Sequence, residues 1–138
     1  MITAVDSSVL FDILTADARF GPSARRAIGD SLRAGRLVAC EIVWAEVGSY
    51  FDDPAQAADA LDRLGLEFEP LTQAESLLAG QAWADYRRRG GTRQRVVADF
   101  LIGAHARTRT DRLLTRDRGF FRAYFAGLQV MDPTAPDA

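Results

Sequence analysis

The chain has no lysine: all 17 of its basic residues are arginine. Cysteine is nearly missing as well. Cys40 is the only one, which excludes an internal disulfide and any thiolate metal cluster within one chain, and leaves a buried, reduced thiol as its expected state. Histidine is limited to His105, so a softer, zinc-like site has almost no nitrogen or sulfur to draw on. No apolar run approaches the roughly 18 residues that a membrane span needs. The opening MITAVDSS has no basic n-region and reaches an acid at Asp6, so a signal peptide is not expected and a cytoplasmic location is. What remains is ordinary for a soluble globular protein: 48% hydrophobic and 26% charged residues over 138 positions. That length predicts one domain, here residues 1–132, with a short frayed tail at 133–138.

The net charge of -2 conceals an asymmetry. Eleven of the arginines fall between Arg87 and Arg122, where the only acids are Asp99, Asp111 and Asp117, so that segment carries +8 and the rest of the chain -10. Arginine forks suit phosphate geometry, and a locally basic surface is the usual footprint of nucleic-acid binding. The same charge could also lie on solvated helix faces where arginine stands in for lysine.

Along the chain, Ile2 to Val5 reads as a strand and Val9, Leu10, Ile13 and Leu14 as a helix behind Ser7 or Ser8. Gly21-Pro22 opens a second helix that Gly35 ends, and Leu37 to Cys40 is the next strand. Glu41 to Phe51 is helical and unusually apolar, with Glu46 in its middle. Asp53-Pro54 starts a helix that Gly65 stops; Leu66 to Phe68 is a half-exposed strand. Thr72 and Glu75 form a predicted capping box for a long helix that finishes in Arg87, Arg88 and Arg89. Residues 92–96 read as a mobile loop. A helix follows from Ala98 to about Thr108, then a strand from Arg112 to Thr115, a short helix through Phe120, Phe121 and Tyr124, and a last strand from Leu128 to Met131. Five strands alternating with helices predict an α/β fold with a mainly parallel sheet covered on both faces, whose function sits at the carboxyl ends of the strands.

Two acids, Asp6 and Asp117, lie just past such ends, and Glu46 and Asp99 lie on helices that can reach the same edge. Each has a plain structural reading: Asp6, Asp99 and Asp117 could cap helices, and Glu46 could belong to a surface stripe. Taken together, carboxylates within reach of one another repel, and at neutral pH they share protons or hold a cation. Oxygen-only ligands suit magnesium or manganese. His105, between Ala104 and Ala106, reads as a core or capping residue.

These residues resemble a known family. Asp6-Ser7-Ser8 after a strand, Glu46 in an apolar helix, Val97-Ala98-Asp99-Phe100-Leu101-Ile102 with Ala104-His105-Ala106, and Leu113-Leu114-Thr115-Arg116-Asp117 before Gly119-Phe120 look like a PIN-domain ribonuclease, most closely a VapC toxin of bacterial toxin–antitoxin pairs. The resemblance covers nearly the whole chain in the right order. It implies a three-layer α/β/α sandwich around a five-stranded sheet, Mg²⁺- or Mn²⁺-dependent RNA cleavage, a homodimer, and inhibition by a VapB-like antitoxin. By position, Asp6, Glu46, Asp99 and Asp117 would be the acidic quartet that binds the metal and Thr115 the hydroxyl that supports it, with Ser8 positioning Asp6. Many members carry a further acid near position 119, where this chain has Gly119, which leaves open whether Asp117 meets the metal directly or through water.

The expected reaction is phosphodiester hydrolysis, with the 87–122 arginines on the substrate phosphates and the 3′ oxygen leaving. A metal-free ribonuclease usually needs a histidine pair, which one histidine cannot supply. Two other classes stand beside this: a catalytically idle PIN-fold module that binds protein or RNA, and an aspartyl-nucleophile phosphohydrolase built on Asp6. The second normally has another Asp two residues on, where this chain has Ser8.

Overall fold

The computed structural model describes residues 1–92 and 95–135; Arg93 and Gln94, from the loop expected to be mobile, and Pro136 to Ala138, from the tail expected to fray, lie outside the described residues. In chain order the elements are β1 (Ile2–Val5), α1 (Ser7–Leu14), α2 (Gly21–Ala34), β2 (Arg36–Ala39), α3 (Glu41–Gly48), α4 (Pro54–Arg63), β3 (Leu66–Phe68), α5 (Gln73–Arg88), α6 (Val97–Arg109), β4 (Arg112–Leu114), α7 (Arg118–Tyr124) and β5 (Val130–Met131). The strands form one sheet in the order β3-β2-β1-β4-β5, and every pairing is parallel.

Consecutive strand residues are buried, including Ala4 and Val5, Leu37 to Ala39, and Leu113 with Leu114. Such runs belong to strands covered on both faces, because successive side chains point to opposite sides of a sheet. The result is the three-layer α/β/α sandwich predicted above. The strand order matters for function. The chain starts at the centre, winds outward to β3, and returns to place β4 on the other side of β1. Winding therefore reverses between β1 and β4, and in open parallel sheets the crevice outside the carboxyl ends at such a reversal is where ligands bind.

An aromatic cluster holds the helices over this edge. Phe100, fully buried, stacks on Trp83 at 6.3 Å and meets Tyr86, Phe120 and Tyr124 edge-on. These contacts join α5, α6 and α7 beside Asp99. Two glycines permit the packing: a Cβ on Gly103 would come within 2.2 Å of the Phe125 ring, and one on Gly91 within 2.4 Å of Tyr86.

Three local expectations change. The apolar run from Glu41 leaves the helix at Gly48, not at Phe51, because Tyr50 and Phe51 turn back with i→i−3 bonds to Val47 and Gly48. The capping box at Thr72 does not close in its reciprocal form: the Thr72 hydroxyl donates to the Glu75 carboxylate and makes no cap bond to the helix. The last strand is two residues long, Leu128 being spent on a bond to Phe125. Just beyond it, Asp132 accepts from both the backbone N–H and the hydroxyl of Thr134, so the first part of the tail turns back on itself.

Candidate active site

β1 and β4 lie side by side, with Val5 opposite Leu114, and the pairing continues past both strands. The Asp6 N–H donates to Leu114 O at 2.9 Å, and the Thr115 N–H to Met131 O at 2.9 Å. The backbone thus fixes Asp6 next to Thr115. The fully buried Thr115 hydroxyl donates to Asp6 Oδ2 at 2.8 Å and accepts from the Asp117 N–H at 3.0 Å. One hydroxyl therefore ties together the acids that follow two different strands. Ser8 also donates to Asp6 Oδ2, at 3.2 Å, as its expected positioning role requires. Ser7 donates to Glu46 Oε1 at 3.1 Å, which joins α1 to α3.

Asp6, Asp99 and Asp117 all sit at helix N-termini: Asp6 and Asp117 precede α1 and α7, and Asp99 is in the first turn of α6. None of the three N-cap residues makes a side-chain cap bond, and the backbone bonds from Ser7 to Asp6 and from Val96 to Asp99 do not prevent either carboxyl from being raised, so capping accounts for these acids only in part. Glu46 lies in the last turn of α3, where the helix dipole disfavours a negative charge.

The electrostatics run the same way. Burial pushes the Asp6 carboxyl above its ordinary range, against the favourable bonds from Thr115 and Ser8, and the Asp117 charge adds to the rise. Burial raises Asp99 as well, with Arg95 opposing it and Asp6 and Asp117 adding to it. Glu46 is raised by burial, and further by Asp6 and Asp99. Acids from β1, α3 and α6 therefore feel one another's charge across one space. Added positive charge there would relieve all of them at once, and the donors are oxygen only, which fits a hard divalent cation. As the side chains stand, no three acidic, histidine or cysteine residues among the described residues converge closely enough to hold a metal ion.

Part of the compensation is internal. Arg95 pairs with Asp117 and lies 3.9 Å from Asp99, with its guanidinium 4.3 Å over the Phe120 ring. Burial works against its charge, but the hydrogen bond and the two acids outweigh burial and hold its pKa above the ordinary value. Sequence reasoning counted Arg95 only within a basic segment. Its place four residues before Asp99, just ahead of the helix that carries that acid, was the available signal. Ser7 was also missed, and nothing in its local sequence separates it from a helix-start serine. At Gly119 a Cβ would meet open space, so the missing acid leaves room and not a filled site.

The basic segment divides in two. Arg116 is bound to Asp12, Arg112 to the Thr3 hydroxyl, Arg107 to Ala126 O, and Arg109 to Glu69. Arg87, Arg88, Arg118 and Arg122 have no carboxylate partner among the described residues. Arg107 and Arg112 meet neutral oxygens and also lack a carboxylate partner among the described residues, so within the first group only Arg109 and Arg116 have their charge offset.

The PIN domain family model matches residues 3–126. Among solved structures, the chain is similar to one in VapBC2 from Rickettsia felis bound to a DNA fragment from its promoter, with 18% identity, a TM-score of 0.76, and coverage of 96% of this chain and 98% of that one. It is similar to one in VapBC-1 from nontypeable Haemophilus influenzae, at 19% identity and a TM-score of 0.75 over 98% and 100% of the two chains. It is also similar to VapC20 of Mycobacterium tuberculosis, a toxin that cleaves the sarcin-ricin loop, at 22% identity and a TM-score of 0.57 over 92% and 98%. At these identities the likeness is one of fold. No curated protein matches the chain at a significant level. Among the described residues no helix is long and apolar enough to cross a membrane.

Proposed function

The chain belongs to the PIN domain family, and from that premise we propose that it is a divalent-metal-dependent endoribonuclease of the VapC toxin type. The observation that carries this reading is geometric: at the β1/β4 reversal the Thr115 hydroxyl ties Asp6 to the Asp117 backbone, and Arg95 joins Asp117 to Asp99. Asp6, Glu46, Asp99 and Asp117 would hold Mg²⁺ or Mn²⁺. When bound, such an ion acidifies a water and stabilises charge on the phosphorane-like transition state.

The chain's own groups do the rest. Thr115 keeps Asp6 in one orientation and holds the Asp117 backbone to it. Ser7 steadies Glu46 against the unfavourable end of its helix. Arg95 offsets charge on Asp117 and Asp99, and arginines without carboxylate partners, among them Arg87, Arg88, Arg118 and Arg122, are available for substrate phosphates. RNA affinity should therefore fall steeply with salt. In the proposed cellular setting the protein is a homodimer, and it is held inactive by a VapB-like antitoxin, the latter in keeping with the VapBC complexes that contain chains of its fold. The test is to induce wild type and Asp6→Asn in a host and map the 5′ ends of total RNA. Growth arrest with defined new ends in the wild type only supports the reading, and equal patterns from both sink it.

One observation favours the idle binding module. Arg95 already pairs with Asp117, and no three ligands converge as the side chains stand. Calorimetry with Mn²⁺ separates the two: the nuclease binds the ion and cuts RNA, whereas the module does neither.

A further inference from the structure

Next to the acids, a cavity of about 710 Å³ opens between the end of α5 and the start of α6. Trp83 and Tyr86 form its apolar wall, Arg87 and Arg95 are part of its lining, and Val96 and Val97, 56% and 43% exposed, stand at its mouth. The wall is rigid. Trp83 stacks on the buried Phe100, and Tyr86 is wedged edge-on between Phe100 and Tyr124, with Gly91 allowing the chain to pass against its ring. Rings already held in place lose little freedom when a ligand stacks on them.

The charges set the occupant. The Arg87 guanidinium sits 5.2 Å over the Trp83 ring and has no carboxylate partner among the described residues. Arg95 belongs to both places: it lines the cavity and pairs with Asp117 at the acid site. An aromatic wall beside the Arg87 guanidinium, which no carboxylate neutralises among the described residues, is complementary to a planar base that carries a phosphate. A second copy of the chain fits poorly, because a two-fold contact sets the same patch against itself and would bring like-charged arginines together.

We infer that this cavity receives a nucleobase of single-stranded RNA adjoining the phosphodiester that is cut. Arg95 lines the cavity and pairs with Asp117, so a nucleotide in the cavity lies one side chain away from the acid site. The inference rests on the ribonuclease reading for the word "cut", but binding at the cavity can be measured without metal or cleavage.

The chain has two tryptophans, so Trp44→Phe leaves Trp83 as the only one and as a reporter inside the cavity. In EDTA, this protein is titrated with mixed-sequence hexanucleotide RNA carrying a terminal dye. Dye anisotropy reports total binding and Trp83 emission reports the cavity. Saturable quenching of Trp83 in step with anisotropy is expected, absent with duplex RNA, and weakened about tenfold by Tyr86→Leu and by the exposed Arg87→Ala, with circular dichroism unchanged. Binding that leaves Trp83 emission unaltered overturns the inference, as does no binding by any hexanucleotide. Trp83 emission that follows protein concentration instead of RNA would assign the cavity to a second copy. A wild type that cleaves RNA while Trp83 stays unquenched would reject the cavity alone. Quenching by RNA in a protein that cleaves nothing with Mn²⁺ would reject the nuclease reading alone.

Discussion

Acids are buried at the β1/β4 edge and in the body of the fold, and the difference lies in how Asp12 and Asp6 are compensated. In the body, Asp12 receives two bonds from Arg116, at 2.7 and 3.1 Å, and the same guanidinium lies 4.2 Å over Phe20. Glu75, fully buried, is met by the Thr72 hydroxyl, with Arg109 3.6 Å away. Asp12 thus has an arginine to itself, whereas Glu75 shares Arg109 with Glu69, 3.4 Å from the same guanidinium, and leans on the Thr72 hydroxyl. At the β1/β4 edge Asp6 and Glu46 are met by hydroxyls, and Arg95 alone serves both Asp99 and Asp117. A fold that gives Asp12 a dedicated, doubly bonded arginine could have paired these as well. Leaving them short of positive charge sacrifices stability at the place where a cation would supply it.

The widest separation between the regions should come from Asp99→Asn. Cleavage of an RNA substrate with Mn²⁺ is expected to fall by about a thousandfold, several kcal/mol of transition-state stabilisation, while the metal-free protein melts at the same temperature or higher. Unchanged cleavage would place Asp99 with the structural acids. The mirror case is Arg116→Ala, which strands Asp12. Since Arg116 is partly exposed, a loss of about 2–3 kcal/mol in urea unfolding is expected, with cleavage of folded protein retained. Equal urea midpoints would show that Asp12 needs no partner.

Thr115→Val is smaller and bears on both functions of that hydroxyl. It keeps the side-chain volume but removes the donor to Asp6 and the acceptor for Asp117 N–H, so metal affinity by calorimetry should drop by about 10-fold to 100-fold, as for other groups that orient ligands. The smallest effect is in the pH dependence. Asp6 is raised in the folded protein, so the folded state binds its proton more readily than the unfolded state does. The penalty is therefore full at neutral pH and is relieved as pH falls through the raised value toward the ordinary carboxylate range. Asp6→Asn should stabilise the metal-free protein at pH 7, and that gain should shrink on acidification until the two melting temperatures meet. A gain that grows in acid would reverse the assignment.

Much of this molecule was legible before any coordinates. The α/β alternation, the parallel sheet and nearly all element boundaries follow from apolar periodicity with Gly and Pro punctuation, signals that act within a few residues. The positions of Asp6, Glu46, Asp99, Asp117 and Thr115 were likewise visible as acids and a hydroxyl at strand ends and in apolar runs. Where local signals compete, reading failed. Thr72 and Glu75 have the spacing of a capping box, yet their side chains bond each other, because Glu75 is drawn into the core beside Arg109.

Val96 through Asp117 shows the division most clearly. Composition alone determined that this stretch is basic and that its acids are few. Only the tertiary structure decided which charges meet: that Arg116 turns inward to Asp12 across 104 residues, that Thr115 reaches Asp6 across 109, and that Arg95 stands between the acids and an aromatic cavity. The physical reason is range. Helix and strand formation depends on neighbours along the chain, whereas the compensation of a buried charge depends on whatever the winding of the sheet brings within a few ångströms.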